Sequence, residues 1–298
     1  MRDFSNEFRS YLSCVKRSSK NTIESYMRDL ERYCAFLQKS LVEDTTTVSS
    51  ALLQQYIDSL YQEGKSEATV TRIVSTLKGY YRFLQSIEVC SQPPTENLHR
   101  QHKAEKKLPE ILDYKEVQKL LEQPDTGDLK GIRDKAMLEL LYATGIRVSE
   151  LITLNVEDIN LPVGIVHLKS AKSERIVPLY KEAVKTLSLY LTQVRHIIIA
   201  DSKVKRLFTN MNGADLTRQG FWKIIKGYAA AAGIKKDITP HTIRHSFAAH
   251  LLENGAELTD IKELLGHTDI SSTQVYSKII KQKYASAYTR FHPMARKN

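Results

Sequence analysis

The chain has 298 residues, 42% of them hydrophobic, so it is long enough for about two domains with buried cores and is not disordered as a whole. Lysine and arginine outnumber aspartate and glutamate by 44 to 34, and the net charge of +10 favours a polyanionic partner, either a nucleic acid or a lipid surface. No apolar run predicts a membrane span, and the N-terminus lacks the pattern of a secretion signal. We therefore expect a soluble, intracellular protein.

The cysteine content argues against a disulfide framework or a zinc ribbon. Cys14, Cys34 and Cys90 are odd in number and form no CxxC pair. All three are predicted to be small buried side chains in a reducing compartment.

The first part of the chain, residues 1–92, is predicted to form a four-helix domain. Apolar residues recur there at spacings of three and four, which is typical of helices with one buried face. One such stripe runs from Ile23 to Leu37, a second stops at Gly64, and a third follows Ser66. A shorter helix is expected over residues 4–16.

Residues 93–108 are predicted to be a basic linker. Pro93 and Pro94 cannot continue a helix, and the segment after them is polar and almost free of apolar residues. Its cations either belong to a solvated linker or contact a phosphate backbone along which the linker lies. The charge of the whole chain favours the contact with phosphates. These cations are Arg100, Lys103, Lys106 and Lys107.

A second domain is expected over residues 109–298, mostly helical and with a small antiparallel sheet. Asp113 and Glu116 have the spacing of a capping box and mark its first helix. The clear strand pair is GIVHL and RIVPL, joined by the polar turn KSAKSE. Further helices are predicted over 131–144, 148–154, 181–195, 217–232, 240–253, 259–265 and 273–279.

Two segments place cations at helix starts, where unpaired backbone amides favour an anion. In YATGIRVSEL, Gly145 ends a helix and Arg147 opens the next, although a surface arginine would also fit. In TPHTIRHSFAAHL, His241 and Arg244 lie one turn apart on the same face. A zinc site at His241 and His245 is the alternative, but no glutamate follows the first histidine, so His245 and His250 are interpreted as packing residues.

A third segment, LLGHTDISSTQVYSK, contains His267 after a helix-ending glycine and Tyr276 on a short polar helix. The residues around Tyr276 are serine, threonine and glutamine, so we expect little reason for its ring to be buried.

GIRVSEL, HTIRH and LGHTDISSTQVY, in this order, resemble the catalytic boxes of the tyrosine recombinases, most closely those of the bacterial Xer type. The resemblance covers essentially the whole chain. It implies an N-terminal helical, SAM-like core-binding domain, a linker, and a mixed α/β, mostly helical catalytic domain with a small sheet and a C-terminal tail.

The resemblance also implies a role for each residue of the boxes. Arg147 is the first catalytic arginine, His241 and Arg244 are the HxxR pair, His267 is the second histidine, and Tyr276 is the nucleophile. A family lysine on a β-hairpin falls in KSAKSE, but the turn departs by about one residue from the usual spacing. Lys169, on the strand face opposite Val166 and Leu168, and Lys172, nearer the tip, are therefore both candidates.

These residue types suit phosphodiester exchange. Two guanidinium groups stabilise the charge that grows on the phosphate oxygens, and His267 adds a donor. His241 is the expected proton acceptor from the phenol, and a lysine ammonium protonates the leaving 5′ oxygen. No cofactor is expected, since one ester replaces another; neither a phosphate loop nor a paired acidic cluster that would hold magnesium is present in the sequence.

The expected partner is double-stranded DNA with a specific recombination site, held between both domains, in a cytoplasmic, nucleoid-associated setting. Lys65, Thr69, Arg72 and Lys78 are candidate contacts in the first domain, although a solvated helix face is the alternative for each. The tail after Tyr276 either covers its own domain or, as the resemblance implies, docks into a neighbour within a homo- or hetero-tetramer. A second recombinase and a DNA-translocase regulator are left open.

Four functions are compatible with these observations. The first is a recombinase that resolves chromosome or plasmid dimers, and the second is a phage or transposon integrase. The third is a type IB-like topoisomerase, which returns a strand to itself. The fourth is a non-catalytic helical DNA-binding regulator that uses the same basic surface.

Overall fold

The computed structural model describes residues 3–96, 98, 108–170, 173–199, 203–267, 269, 272–277 and 279. Contacts divide the chain into two units, Met1–Lys106 and Lys107–Asn298. The predicted linker cations Arg100, Lys103, Lys106 and Lys107 lie outside the described residues. Within the described part, no helix is both long and apolar enough to cross a membrane.

The described part of the N-terminal unit contains four α-helices. Helix α1 (Ser5–Ser10) continues into a π-helical turn (Tyr11–Val15), and α2 (Lys20–Lys39), α3 (Ser50–Gln62) and α4 (Glu67–Ser86) follow. A serine precedes each of α2, α3 and α4, and its hydroxyl accepts a hydrogen bond from a backbone N–H in the first turn. The predicted four-helix arrangement is confirmed.

The core of this unit contains the predicted apolar stripes together with a group of tyrosines. Leu30 and Leu37 of α2 are fully buried. The hydroxyls of Tyr33 and Tyr81 lie 2.7 Å apart, and Tyr81 also donates to the backbone oxygen of Thr45. These bonds satisfy buried phenol groups that would otherwise be costly to remove from water.

Twelve helices precede residue 266 in the described part of the chain, and eight of them belong to the C-terminal unit. Helix α6 is buried on nearly all sides and packs against α5, α7, α8, α11 and β3. Residues 272–277 are also helical. The eight helices are α5 (Tyr114–Glu122), α6 (Leu129–Thr144), α7 (Val148–Thr153), α8 (Lys181–Leu189), α9 (Arg195–Ile198), α10 (Arg218–Ala231), α11 (Pro240–Glu253) and α12 (Leu258–Leu265).

The sheet is larger than the sequence predicts. Its antiparallel order is β1 (Ile159–Asn160), β2 (Ile165–Ser170) and β3 (Ser173–Pro178), so most of the expected turn KSAKSE is strand and β1 was missed. Two residues are too few to give β1 a sequence pattern of its own. Lys169 points away from the buried face formed by Val166 and Leu168, as predicted.

One prediction about the cysteines is wrong. Cys34 and Cys90 are buried, but Cys14 is exposed. Cys14 follows Leu12 by two positions in the π-helical turn, and Leu12 is the residue of that turn that enters the core.

Candidate active site

The side chain of Arg244 lies at the centre of the site. Arg244 is on α11, which begins at Pro240 behind the capping residue Thr239, and is only 4% exposed. Its Nη1 donates to the backbone oxygen of Gly145 (2.6 Å) and its Nη2 to that of Leu265 (2.7 Å). Burial and the nearby Arg147 lower the pKa of Arg244 to about 10, which leaves it charged at neutral pH.

Both accepting carbonyls lie at helix ends closed by a glycine in the left-handed conformation. Gly145 (φ 57°) ends α6 and Gly266 (φ 61°) ends α12. A β-carbon at Gly145 would approach Cδ1 of Phe247 to 2.4 Å, so this position needs glycine both for its backbone and for its space. The free carbonyls at such ends carry partial negative charge, which compensates the buried guanidinium.

Arg147 donates to the next carbonyl along the chain, that of Gly266, and its side chain is more exposed than that of Arg244. Its Nη2 donates to the backbone oxygen of Gly266 at 3.2 Å, and its side chain is 36% exposed. Its Nη1 lies 3.4 Å from Oε1 of Glu150. Because Leu265 and Gly266 are consecutive, the guanidinium groups of Arg244 and Arg147 are held at adjacent carbonyls.

Glu150 and Arg175 hold Arg147 in place, and the sequence reasoning missed both. Glu150 accepts from the backbone N–H of Arg147 (2.9 Å) and from both terminal nitrogens of Arg175 (2.9 and 3.1 Å). Burial alone would raise the pKa of Glu150, but these donors lower it below its usual value. Arg175 also donates from Nε to the backbone oxygen of Leu264, at 2.7 Å.

Two histidines lie close to the arginines. His241, one turn before Arg244, is exposed; loss of hydration and the cations Arg244, Arg147 and Arg218 lower its pKa. His267 is half-buried, and its Nδ1 lies 3.0 Å from the hydroxyl of Thr273. Burial, followed by the charges of Arg244 and Arg147, lowers the pKa of His267 to about 4. Near neutral pH, His267 is therefore uncharged.

The expectation that Tyr276 is exposed is wrong, because it is only 1% exposed. Thr273, Tyr276 and Ile279 recur at a spacing of three and form one buried face beside Phe247 and Leu265, while Ser272 and Gln274 face outward. Burial raises the pKa of the Tyr276 phenol, and the charges of Arg244 and Arg147 partly offset this rise.

His245, interpreted from the sequence as a packing residue, is in direct contact with the phenol. Its Nδ1 lies 3.0 Å from the Tyr276 hydroxyl. Burial, followed by the charges of His241 and Arg244, lowers the pKa of His245 to about 4. His250, by contrast, lies away from this group and pairs with the hydroxyl of Tyr142 at 2.9 Å.

The structure brings together five of the seven residues singled out from the sequence: Arg147, His241, Arg244, His267 and Tyr276. Lys169 is exposed on β2 and makes no hydrogen bond to these five in the described coordinates, whereas Lys172 lies outside the described residues. In the described part of the chain, no three His, Cys, Asp or Glu side chains form a group that could hold a metal ion. Arg147 and Arg244 thus lie beside a buried phenol, and this pair of cations is called the cationic site.

Comparison with known proteins identifies the family. A model of the phage integrase family matches residues 110–283, and a model of the phage integrase N-terminal SAM-like domain matches residues 6–87. Tyrosine recombinase XerD of Staphylococcus epidermidis is 42% identical over 290 residues, which cover 97% of this chain and 98% of that protein.

Two solved structures share the fold. The site-specific recombinase XerH, bound to a palindromic difH substrate in a post-cleavage complex, superposes with a TM-score of 0.78 at 21% identity, covering 96% of this chain and 84% of that one. The Tn1549 transposon integrase with transposon right end DNA gives 0.73 at 18% identity, covering 92% and 94%. The chain belongs to the phage integrase family of tyrosine recombinases, in its Xer-type branch.

The lowered histidine pKa values predict a pH-dependent stability. His245 and His267 have pKa values of about 4 in the folded chain and about 6.5 when unfolded, so the unfolded chain binds more protons between these values. The free energy of unfolding must then fall as the pH drops from about 6.5 towards 4. Urea denaturation followed by fluorescence of Trp222, the single tryptophan, measures this in the C-terminal unit.

The double substitution His245→Asn/His267→Asn is expected to lose much of the difference between pH 7 and pH 5. Substitution of the exposed His196 by asparagine is the control and should leave that difference unchanged. A double variant with the same pH dependence as the parent chain would contradict the assignment.

Proposed function

We propose that this chain is a site-specific recombinase that cuts and rejoins double-stranded DNA through a covalent 3′-phosphotyrosine intermediate. The observation that carries the proposal is the placement of Arg147 and Arg244 at adjacent helix-end carbonyls, with Tyr276 within range of both charges. The solved relatives named above, which are bound to DNA, support DNA as the substrate.

In this proposal the cationic site binds the scissile phosphate. Arg147 has a third of its side chain exposed and supplies a planar donor fork to a nonbridging oxygen. The buried Arg244 supplies fixed positive charge next to the phosphate. His267 donates to the phosphate from Nε2, while the hydroxyl of Thr273 donates to Nδ1 of His267. Fixed donors need no reorientation as charge grows on the phosphate oxygens, so they lower the barrier.

The chemical step exchanges one ester for another. The Tyr276 oxygen bonds to phosphorus, the bond from phosphorus to the 5′ oxygen breaks, and that oxygen takes a proton from Lys169 or Lys172. The phenol proton passes to His241, the exposed histidine one turn before Arg244, whereas His245 contacts the phenol only in its buried position. A 5′ hydroxyl of another strand reverses the step and restores the phenol.

The phenol must leave its buried position before it can attack. At 1% exposure, Tyr276 cannot reach a phosphorus atom in a duplex outside the unit. Displacement of the 272–277 helix would break the contacts of the phenol with His245 and of Thr273 with His267 together. Cleavage is therefore coupled to a rearrangement at the carboxyl end of the described chain.

Resolution of chromosome or plasmid dimers is the proposed role. The 42% identity to a XerD recombinase along almost the whole chain supports it over the integrase role. The recombinase would act as a tetramer on two DNA sites, with tail exchange between neighbours; the tail after residue 279 lies outside the described residues. No metal ion is required, because the two arginines and the lysine supply the charge and the proton.

Replacement of Tyr276 by phenylalanine is expected to abolish the covalent protein–DNA complex. The substrate is a nicked duplex that carries a binding site selected by the full-length chain from random sequences, in a buffer with EDTA, and denaturing electrophoresis is the measurement. Tyr142→Phe is the matched control, since Tyr142 also pairs its hydroxyl with a histidine ring in the same unit. It should keep the complex.

The outcomes separate the candidate functions. No covalent complex with the unmodified chain would favour a non-catalytic regulator, and a complex that persists in Tyr276→Phe would overturn the choice of nucleophile. Joining of strands from two separate duplexes distinguishes a recombinase from a topoisomerase.

The two lysines can be separated by changing the leaving group. A 5′-bridging sulfur leaves without a proton, so loss of the general acid should be rescued on a phosphorothiolate duplex. We expect one of Lys169→Ala and Lys172→Ala to lose about 100-fold or more on ordinary DNA and to recover on the sulfur substrate. The other variant is the control. Full activity of both variants on ordinary DNA would contradict a lysine acid on this hairpin.

A further inference from the structure

A buried carboxylate lies beneath an exposed arginine in the N-terminal unit. The side chain of Asp29, on α2, is 5% exposed, whereas that of Arg72, on α4, is 44% exposed. The Nη1 of Arg72 forms an ion pair with Oδ2 of Asp29 and lies 3.4 Å from the backbone oxygen of Ser25. Thr76 donates from its hydroxyl to the same Oδ2 at 2.9 Å. The guanidinium is thus fixed in position from one side.

Stability alone gives little reason for this pair. A buried ion pair is often no more stable than apolar residues of similar size, because both groups must be removed from water. The neighbouring positions on both helices, Leu30 and Ile73, are apolar and buried, so the same helix contact does not require charge. The pair is better explained by the orientation that it gives to Arg72.

The fixed guanidinium leaves one edge available. Both contacts use Nη1, and within the described residues Nε and Nη2 of Arg72 make no hydrogen bond. In a planar guanidinium, Nε–H and Nη2–H form a parallel donor pair on the edge away from Nη1. Such a pair matches two acceptors side by side, as in O6 and N7 of guanine or two phosphate oxygens.

The charge of Asp29 favours guanine over phosphate. The carboxylate cancels much of the positive charge of Arg72 and repels a phosphate, whereas O6 and N7 of guanine are uncharged acceptors. Arg28, on the same helix as Asp29, provides the contrast: its bonds go to the backbone oxygen of Glu24 and to the hydroxyl of Ser25, and no ion pair joins it to a carboxylate of the described residues. Arg28 is therefore suited to a phosphate.

We propose that Arg72, oriented by Asp29 and Thr76, binds the major-groove edge of a guanine and sets part of the sequence preference. Asp29 and Thr76 are positioning residues. This inference rests on the proposed function, because it takes double-stranded DNA as the substrate.

The test compares binding of the full-length chain to the selected duplex and to duplexes with one base pair changed at a time. Arg72→Lys keeps a charge beside Asp29 but lacks the planar donor pair. It is expected to lose about 10- to 100-fold in affinity for the selected duplex, with no further loss when one particular G·C pair is changed. Replacing that guanine by 7-deazaguanine should weaken the parent chain and not the variant.

Two further variants separate positioning from charge. Asp29→Asn is expected to reduce the preference at the same G·C pair and to steepen the dependence of binding on salt, because the charge of Arg72 is no longer cancelled. Arg28→Ala is the matched control, and it should weaken all duplexes equally and reduce the salt slope by about 1.

Equal weakening of every duplex by Arg72→Lys, or unchanged preference at every position, would overturn the inference. If the parent chain forms the covalent complex and Arg72→Lys keeps every base preference, only this inference is rejected. A parent chain that selects no sequence at all would instead reject site-specific action, which is the proposed function.

Discussion

The site depends on one buried charge and the two carbonyls that compensate it. Arg244 donates to the backbone oxygens of Gly145 and Leu265, so one guanidinium on α11 joins the carboxyl ends of α6 and α12. An unpaired charge at this depth would cost several kcal/mol, and helix-end carbonyls are suited to a cation. Arg147 uses the next carbonyl, that of Gly266. The cationic site is therefore part of the packing of the C-terminal unit.

The same charges explain the state of the neighbouring groups. Arg147 and Arg244 help to keep His267 neutral, and Arg244 acts in the same direction on His245. A bound phosphate would cancel part of this positive charge and raise the pKa of both histidines. In addition to loss of hydration, Arg244 and Arg147 also lower the pKa of His241. Binding of the substrate would thus make His241 a better proton acceptor at the moment when the phenol must lose its proton.

Much of the fold could be predicted because its signals are local. Capping residues, glycine stops and apolar spacing are contained within a few positions, as at Asp113 with Glu116 and at Gly145. The five residues brought together around the cationic site were also found, since their motifs are specific in combination. Glu150 could have been found from its spacing three residues after Arg147. Arg175 could have been found because it lies two residues before the buried Val177, on the same face of β3.

The rest depends on contacts between distant segments. The burial of Tyr276 is set by α11 and α12, which lie before it in sequence. Its polar neighbours in the sequence predicted exposure instead. The pairing of Arg72 with Asp29 joins residues 43 positions apart, and neither helix pattern marks it. Contacts of this kind have no local sequence signal.

Arg147 is proposed to stabilise negative charge on the scissile phosphate. Single-turnover cleavage by the parent chain and by Arg147→Ala can be compared on a duplex with an ordinary scissile phosphate and on one with a neutral methylphosphonate there. We predict that Arg147→Ala loses about 100-fold or more in cleavage rate on the phosphate and much less on the methylphosphonate. Equal losses on both substrates would contradict it.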